Sequence, residues 1–314
     1  MLSREGIWID KSWREDAMVA LSSETVRPVE QYAHNLLQTA LLNREAFNES
    51  EYATHLNYAY LKTESLEKRG INTENLHSTV TSNGKRIWSP ERENLHHAII
   101  NSFLTKWANI PCHREAVLSG GLAGGGKTTT LTQHTHYDLN NYAFLSPDDV
   151  KEAMSENGMF PEIRGLTPME VSALGYEESS YITNMLFQDC VNSGRNLIFD
   201  TTMGSTVALD AKLNPLRDHA YDIRAVFVDI QISTSLRRSQ ERHRHGLNEF
   251  ITTGRGFGGR LLPRYAVKRQ VPSNPKISSK NRELFNDYRS KGWFVESHVF
   301  DNNVDGRAPK LIAH

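Results

Sequence analysis

Eight residues, Gly121-Leu122-Ala123-Gly124-Gly125-Gly126-Lys127-Thr128, fit the pattern G-x-x-x-x-G-K-[ST]. A chain that wraps phosphates must turn successive N–H groups inward. That needs unusual backbone angles and leaves no room for Cβ atoms, hence the glycines. A helix starting near Lys127 adds its positive end to a bound anion. Lys127 is placed to reach the β- and γ-phosphates of a nucleoside triphosphate, and the Thr128 hydroxyl to ligate Mg²⁺. The same stretch continues into Thr129. An apolar run, Ala116-Val117-Leu118, precedes the loop and a Thr-rich helical start follows it. A flexible glycine turn does not require that order, and a phosphate loop does.

A phosphate loop gives nucleotide binding and leaves the reaction open. Three features narrow it. Leu145-Ser146-Pro147-Asp148-Asp149-Val150-Lys151 closes an apolar run, and a carboxylate at that end of a parallel strand faces the ligand side of the sheet. Asp148 would then serve as base for an acceptor hydroxyl, with helix capping as the bland alternative. Phe199-Asp200-Thr201-Thr202 ends another run, and Asp200 suits a group beside Mg²⁺. Arg237, Arg238, Arg242 and Arg244 share one helical stretch, and Arg255 and Arg260 follow among glycines. Phosphoryl transfer spreads negative charge, which arginines stabilise, and the glycines suit a segment that closes over ATP.

The elements that must hold these groups divide near Cys112. Residues 27–44, 49–68 and a helix capped by Ser89-Pro90 read as helical, with 75–83 a polar connection ending at Gly84. The adjacent His96 and His97 read as core or solvated histidines, because neighbours in a helix do not share a face. From Arg114, apolar runs at 116–118, 142–145, 196–199, 223–228 and either 293–295 or 299–300 alternate with helical stretches. These stretches are 127–136, 148–157, 170–192, 206–219, 233–245 and 279–288. Such alternation predicts a doubly wound parallel sheet covered on both faces. The 314 residues carry 36 basic against 37 acidic side chains, which disfavours attachment to nucleic acid or membrane by net charge. Two cysteines suit a reducing, cytoplasmic setting, and neither a secretory leader nor a spanning helix is visible. Residues 255–291 hold ten Lys/Arg against two acids, with Phe257, Tyr265, Phe285 and Tyr288 among them. That stretch supports a competing reading as a single-strand nucleic-acid surface, ranked below the kinase reading.

In order and spacing, residues from about 86 to 303 resemble the zeta toxin family of P-loop kinases. The resemblance rests on Trp88-Ser89-Pro90-Glu91-Arg92…Leu95-His96, the glycine loop, Pro147-Asp148-Asp149-Val150-Lys151, Glu177-Glu178-Ser179-Ser180, Phe199-Asp200-Thr201-Thr202 and Gly258-Gly259-Arg260-Leu261-Leu262-Pro263. It implies an α/β P-loop kinase domain over 86–314 with a helical N-terminal region over 1–85. It implies Asp148 as base, Lys127 and Thr128 at the phosphates and metal, and Arg260 with Arg242 or Arg244 on ATP. It implies Glu177, Glu178, Ser180 and Thr202 on the substrate side. The implied cofactors are ATP and Mg²⁺. The implied acceptor is a nucleotide sugar such as UDP-N-acetylglucosamine, and the implied partner an antitoxin protein. Another small-molecule acceptor, such as a nucleoside, dinucleotide or antibiotic, stays open. Two positions depart from the family pattern: Tyr176 stands where many members have His, and Ser146 where some have Asp. Residues 1–85 fall outside the resemblance, and a cap, an oligomerisation element and a shield over the ATP site all fit them.

Overall fold

The computed structural model describes residues 23–263, 266 and 269–313. In chain order the helices are α1 (Ser23–Asn43), α2 (Glu49–Lys68), α3 (Thr73–His77), α4 (Pro90–Lys106), α5 (Lys127–His134), α6 (Pro147–Glu156), α7 (Pro168–Val171), α8 (Tyr176–Ser193), α9 (Thr206–Asp218), α10 (Ile232–Thr253) and α11 (Lys280–Ser290). The strands are β1 (Ser78–Val80), β2 (Arg86–Trp88), β3 (Glu115–Gly120), β4 (Ala143–Leu145), β5 (Leu197–Asp200), β6 (Asp222–Asp229), β7 (Glu296–Asp301) and β8 (Lys310–Ala313).

Six strands form one sheet in the order β4-β5-β3-β6-β7-β8, all parallel except β8, which runs antiparallel to β7. The chain starts in the middle at β3 and winds outward both ways, so the strand order reverses there. The crevice at such a reversal, beyond the carboxyl ends of the strands, is where ligands bind in open α/β sheets. The β3 and β5 registers place Ser119 opposite Asp200, so the loop after β3 and the acid ending β5 open at the same edge.

Period-two alternation builds both layers. Ala116, Leu118, Leu197, Phe199, Ile223, Ala225 and Phe227 face the large core with helices α4, α6, α8, α9 and α11. Val117, Ile198 and Val226 face the other layer with Leu131 of α5. Both faces are apolar, as parallel strands covered on two sides require.

The doubly wound sheet expected from the alternation is present. Residues 170–192 do not form one helix: α7 is followed by a 3₁₀ turn at Ser172–Gly175, and α8 starts at Tyr176. The polar connection at 75–83 folds as α3 plus a hairpin in which Ser78 pairs with Trp88. The last strand of the parallel set is 296–301 rather than 293–295, and β8 carried no strong apolar run. The helical N-terminal part packs directly on the sheet domain. Leu37, Ala40, Phe47 and Tyr52 cluster with Leu247 and Ile251 of α10, and Ala59 and Tyr60 with Leu261.

Glu178 on α8 is fully buried among fold-defining partners. Arg92 of α4 donates to both its oxygens at 2.6 and 2.7 Å and also to the Met159 carbonyl at 2.6 Å. His96, edge-on to Trp88, meets Oε1 at 2.6 Å. This overturns the expectation of Glu178 as a substrate group, because its acceptor sites are already filled inside the core. Burial alone would raise its carboxyl, yet Arg92 and His96 lower it to about 2 from the usual 4.5. A depressed carboxyl stabilises the fold above its unfolded pKa, and that stability is lost as pH falls from about 4.5 towards 2. Removing one partner leaves an uncompensated buried charge. Arg92→Ala should therefore cost about 3–5 kcal/mol in urea unfolding at pH 7, and a loss below 1 kcal/mol would contradict the assignment.

Candidate active site

The glycine loop lies between β3 and α5, and three of its carbonyls are held from outside. Ser235 Oγ of α10 donates to Ala123 O at 2.6 Å, Arg238 to Gly124 O at 3.4 Å, and Asn302 Nδ2 to Gly125 O at 2.8 Å. A carbonyl pulled outward turns the N–H of the same peptide plane inward, which is the anion nest a phosphate needs. Gly121 has φ +129°, and a Cβ there would meet the Val228 carbonyl at 2.3 Å, so only glycine fits. Lys127 starts α5. Its Nζ folds back over the loop, donating to Gly121 O at 3.3 Å and Leu122 O at 3.5 Å, 3.6 Å from Asp200 Oδ1. Thr128 and Thr129 stand exposed on the first turn.

Asp148 sits on the first turn of α6. The cap of that helix is Ser146, whose Oγ accepts from the N–H groups of Asp148 and Asp149 at 3.2 and 3.3 Å. Capping therefore leaves the Asp148 carboxylate free to face the cleft. There it pairs with Arg260, which also holds Glu152 at 3.1 Å. Crowding by protein would raise the Asp148 carboxyl, but Arg260, Lys151, Arg242 and Lys127 together hold it below the ordinary aspartate value. Asp200 behaves oppositely. Burial raises it, partly countered by Lys127, and its Oδ1 is buried without a hydrogen bond. An inward carboxylate oxygen held only by the Lys127 charge at 3.6 Å, with the Thr128 hydroxyl on the adjacent helix turn, has the donor chemistry of a Mg²⁺ site.

The arginine supply resolves into different tasks. The Arg242 charge acts on Asp148, Asp200 and Glu152. Arg244 turns away, ion-paired with Glu49 of α2 and lying over the Tyr52 ring at 5.2 Å. The expected ATP contact at Arg244 is thus replaced by a contact to the N-terminal helices. Arg237 and Arg238 both pair with Asp305.

The substrate-side residues do not converge in the same way. Glu177 is exposed and answers to Glu74 and Arg86 beside the hairpin. Ser180 is half-buried on α8. Thr202 lies exposed at the carboxyl end of β5, and its carbonyl accepts from Asn281 at 2.6 Å. Lys151, absent from the expected site set, lies nearer Asp148. Burial lowers its ammonium, Asp148 opposes that shift, and Tyr176 places its ring 5.5 Å from Nζ. The departure at position 176 thus sits against the Asp148 cluster.

Gly254 and Gly256 are exposed, but Gly258 and Gly259 are not a loose hinge. A Cβ on Gly258 would meet Thr167 Oγ1 at 2.1 Å, and Met169 N donates to Phe257 O at 2.9 Å, so residues 257–259 are packed in place. Two aromatic residues of the basic stretch point inward: Phe285 is 0% and Tyr288 3% exposed, which removes these two as stacking platforms for bases. Arg264, Tyr265 and Lys268 lie outside the described residues. On the far side of the sheet, His136, Glu296 and His298 bring three donor atoms within 4.8 Å. His298 is hydrogen-bonded to Glu296 at 2.7 Å, and Arg224 holds the other Glu296 oxygen at 3.5 Å. That pairing needs no ion.

An ion pair open to solvent on one side exchanges partners more readily than an enclosed one. The Asp148 and Arg260 side chains are 38% and 18% exposed, so an incoming phosphate can take Arg260 from Asp148 at little cost. Arg260→Ala should move the Asp148 carboxyl upward in an NMR titration of the free protein, and an unchanged titration would mean the pair is not formed in solution.

Against this geometry, the chain's relatives are distant. A chain of the AvrRxo1-ORF1:AvrRxo1-ORF2 complex superposes with a TM-score of 0.54 at 15% identity, covering 77% of this chain and 76% of that one. The same complex with ATP gives 0.51 at 16%, covering 72% and 68%. A structure of the PezAT chromosomal toxin–antitoxin system of Streptococcus pneumoniae gives 0.47 at 13%, covering 69% and 78%. At such identities the two AvrRxo1-ORF1:AvrRxo1-ORF2 superpositions show a common fold and nothing finer. No curated protein matches the chain by sequence. The sequence pattern of the zeta toxin family matches residues 106–283. That span is more than half of the 314 residues and holds the phosphate loop together with Asp148, Asp200, Arg242 and Arg260; the chain belongs to the zeta toxin family.

Proposed function

We propose that the chain is a kinase that transfers the γ-phosphoryl group of ATP to a hydroxyl of a small molecule. The observation that carries this reading is the uncapped, ionised Asp148 at the carboxyl edge of the sheet, among Lys127, Lys151, Arg242 and Arg260. A structural neighbour described with ATP supports the nucleotide.

The loop amides and Lys127 bind the β- and γ-phosphates, for which Lys127 leaves its stand-in contacts with the Gly121 and Leu122 carbonyls. Arg260 exchanges Asp148 for the phosphoryl oxygens, joined by Arg242. Asp148, so freed, orients the acceptor hydroxyl and takes its proton as the oxygen–phosphorus bond forms and the bond to ADP breaks. Thr128 and Asp200 fit Mg²⁺, which when bound neutralises charge on the β- and γ-oxygens. Family membership favours UDP-N-acetylglucosamine or a similar nucleotide sugar as acceptor. It also favours a neutralising antitoxin partner and a cytoplasmic setting. No described helix is long and apolar enough to cross a membrane.

Asp148→Asn should keep ATP affinity within about twofold and lower turnover by roughly 10²–10⁴, the usual contribution of a general base. Lys127→Ala should weaken both nucleotide binding and turnover, because it touches ground and transition states alike. The acceptor is tested by incubating the protein with ATP and a metabolite panel and finding by mass spectrometry which compound gains one phosphoryl group. Phosphorylated UDP-N-acetylglucosamine is expected. A different phosphorylated product would replace the sugar and keep the kinase. No gain on any metabolite would overturn the reading.

A further inference from the structure

We propose that Glu170, clamped between His55 and His243, positions the ATP-facing arginines, which makes the N-terminal helices a working part of the nucleotide site. The proposal rests on the kinase reading above and deepens it.

Glu170 lies on α7 and is fully buried, as is His55 of α2, and His243 of α10 is 2% exposed. An ionised carboxylate offers about four acceptor positions, and here four donors fill them. His55 Nε2 and His243 Nε2 meet Oε1 at 2.7 and 3.0 Å. The Thr167 N–H and Oγ1 donate to Oε2 at 2.8 and 2.9 Å. Tyr52 of α2 extends the cluster: its hydroxyl donates to the Gln240 carbonyl at 2.9 Å and lies 3.2 Å from His243 Nδ1. Three elements far apart in sequence thus meet on one carboxylate.

Both arginines lead directly off this cluster. Arg242 precedes His243 on α10, so fixing the His243 ring fixes the rotation of the helix that presents Arg242. Gly258 abuts Thr167, and Gly259 lies so close to the His243 carbonyl that a Cβ there would stand 2.1 Å from it. Arg260 is the next residue, and Leu261 beyond it packs on Ala59 and Tyr60 of α2. Arg244, the third arginine of the stretch, is tied to Glu49 and reinforces the same seam. None of these groups reaches the nucleotide loop itself. Glu170, His55 and Tyr52 act through the arginines and are positioning residues.

A role in folding alone would leave nucleotide discrimination unchanged in a folded variant. A role in aiming Arg242 and Arg260 falls on the outermost phosphate. Calorimetry with Mg·ATP and Mg·ADP on the full chain separates the two, with thermal melts confirming folding. In His55→Leu, ATP affinity should fall at least about tenfold, the effect of misaligning one charge-assisted hydrogen bond, while ADP affinity changes less than about twofold. His55→Gln, which offers an amide N–H in place of the ring N–H, should restore most of the gap. Glu170→Gln supplies an independent variant, and its effect should not add to that of Arg260→Ala. Equal weakening of ATP and ADP, or no change of either, in a folded variant overturns the proposal. So does failure of all three variants to fold, which would make the cluster a folding element. A wild-type protein that binds neither nucleotide instead removes the kinase reading itself, and the positioning role with it.

Discussion

Backbone amides can grip a phosphate only if the carbonyls beside them are held somewhere else. In this chain that restraint comes from Ser235, Arg238 and Asn302, which anchor three successive loop carbonyls from α10 and from the end of β7. The glycines permit the loop's shape, and these side chains choose it. Arg238 is itself tied to Asp305, so the restraint reaches the turn beyond β7. The same helix that steadies the loop carries Arg242 on a later turn. A single rigid body of 22 residues, α10, therefore sets both the floor of the site and one of the charges above it.

Burial by itself does not separate the acids proposed for the reaction from the structural ones. Glu170, Glu178, Asp148 and Asp200 all lie in places that would raise a carboxyl. The difference is in how many donors each receives. Glu170 and Glu178 are saturated by histidine, arginine, threonine and backbone donors, and both are held well below the usual range. Asp148 has one exchangeable arginine, and Asp200 has an oxygen with no hydrogen bond at all. Breaking a saturated buried pair costs several kcal/mol, whereas the partly exposed pair at Asp148 can trade its arginine for another anion's charge. The acids that can change partners during a reaction are the poorly satisfied ones.

What could be read from the sequence follows the range of the forces involved. The strands, the phosphate loop and the position of Asp148 are written in local pattern: short apolar runs, glycine spacing, a Ser-Pro cap. Each needs only neighbours within a few residues. The misplaced residues fail for the opposite reason. Glu178 looks like a surface acid on a helix until Arg92, 86 residues away, is placed beside it. Arg242 and Arg244 stand two residues apart on α10 and so project from different faces, but which face meets the site is set by α2, whose Glu49 takes Arg244. The glycines at 258 and 259 suggested motion because close packing against residues 167 and 243 has no local signature. One clue was available: Met169-Glu170 follows Thr167-Pro168, a capping-box pattern whose glutamate is the carboxylate that joins three elements.

The region matched to the family begins at residue 106, yet the contacts that set its arginines begin earlier. His55 and Tyr52 lie more than 110 residues before their partners, and a buried carboxylate cannot lose a donor without a cost that surface contacts do not repay. A removable shield over a nucleotide site would be expected to meet it through exposed, separately satisfied groups, because each side must be stable in water when parted. Here parting would expose the apolar seam of Leu37, Phe47 and Leu247 and strip Glu170 of His55 at the same time. The described N-terminal helices therefore have the physical character of a fixed part of the domain rather than of a separable cover.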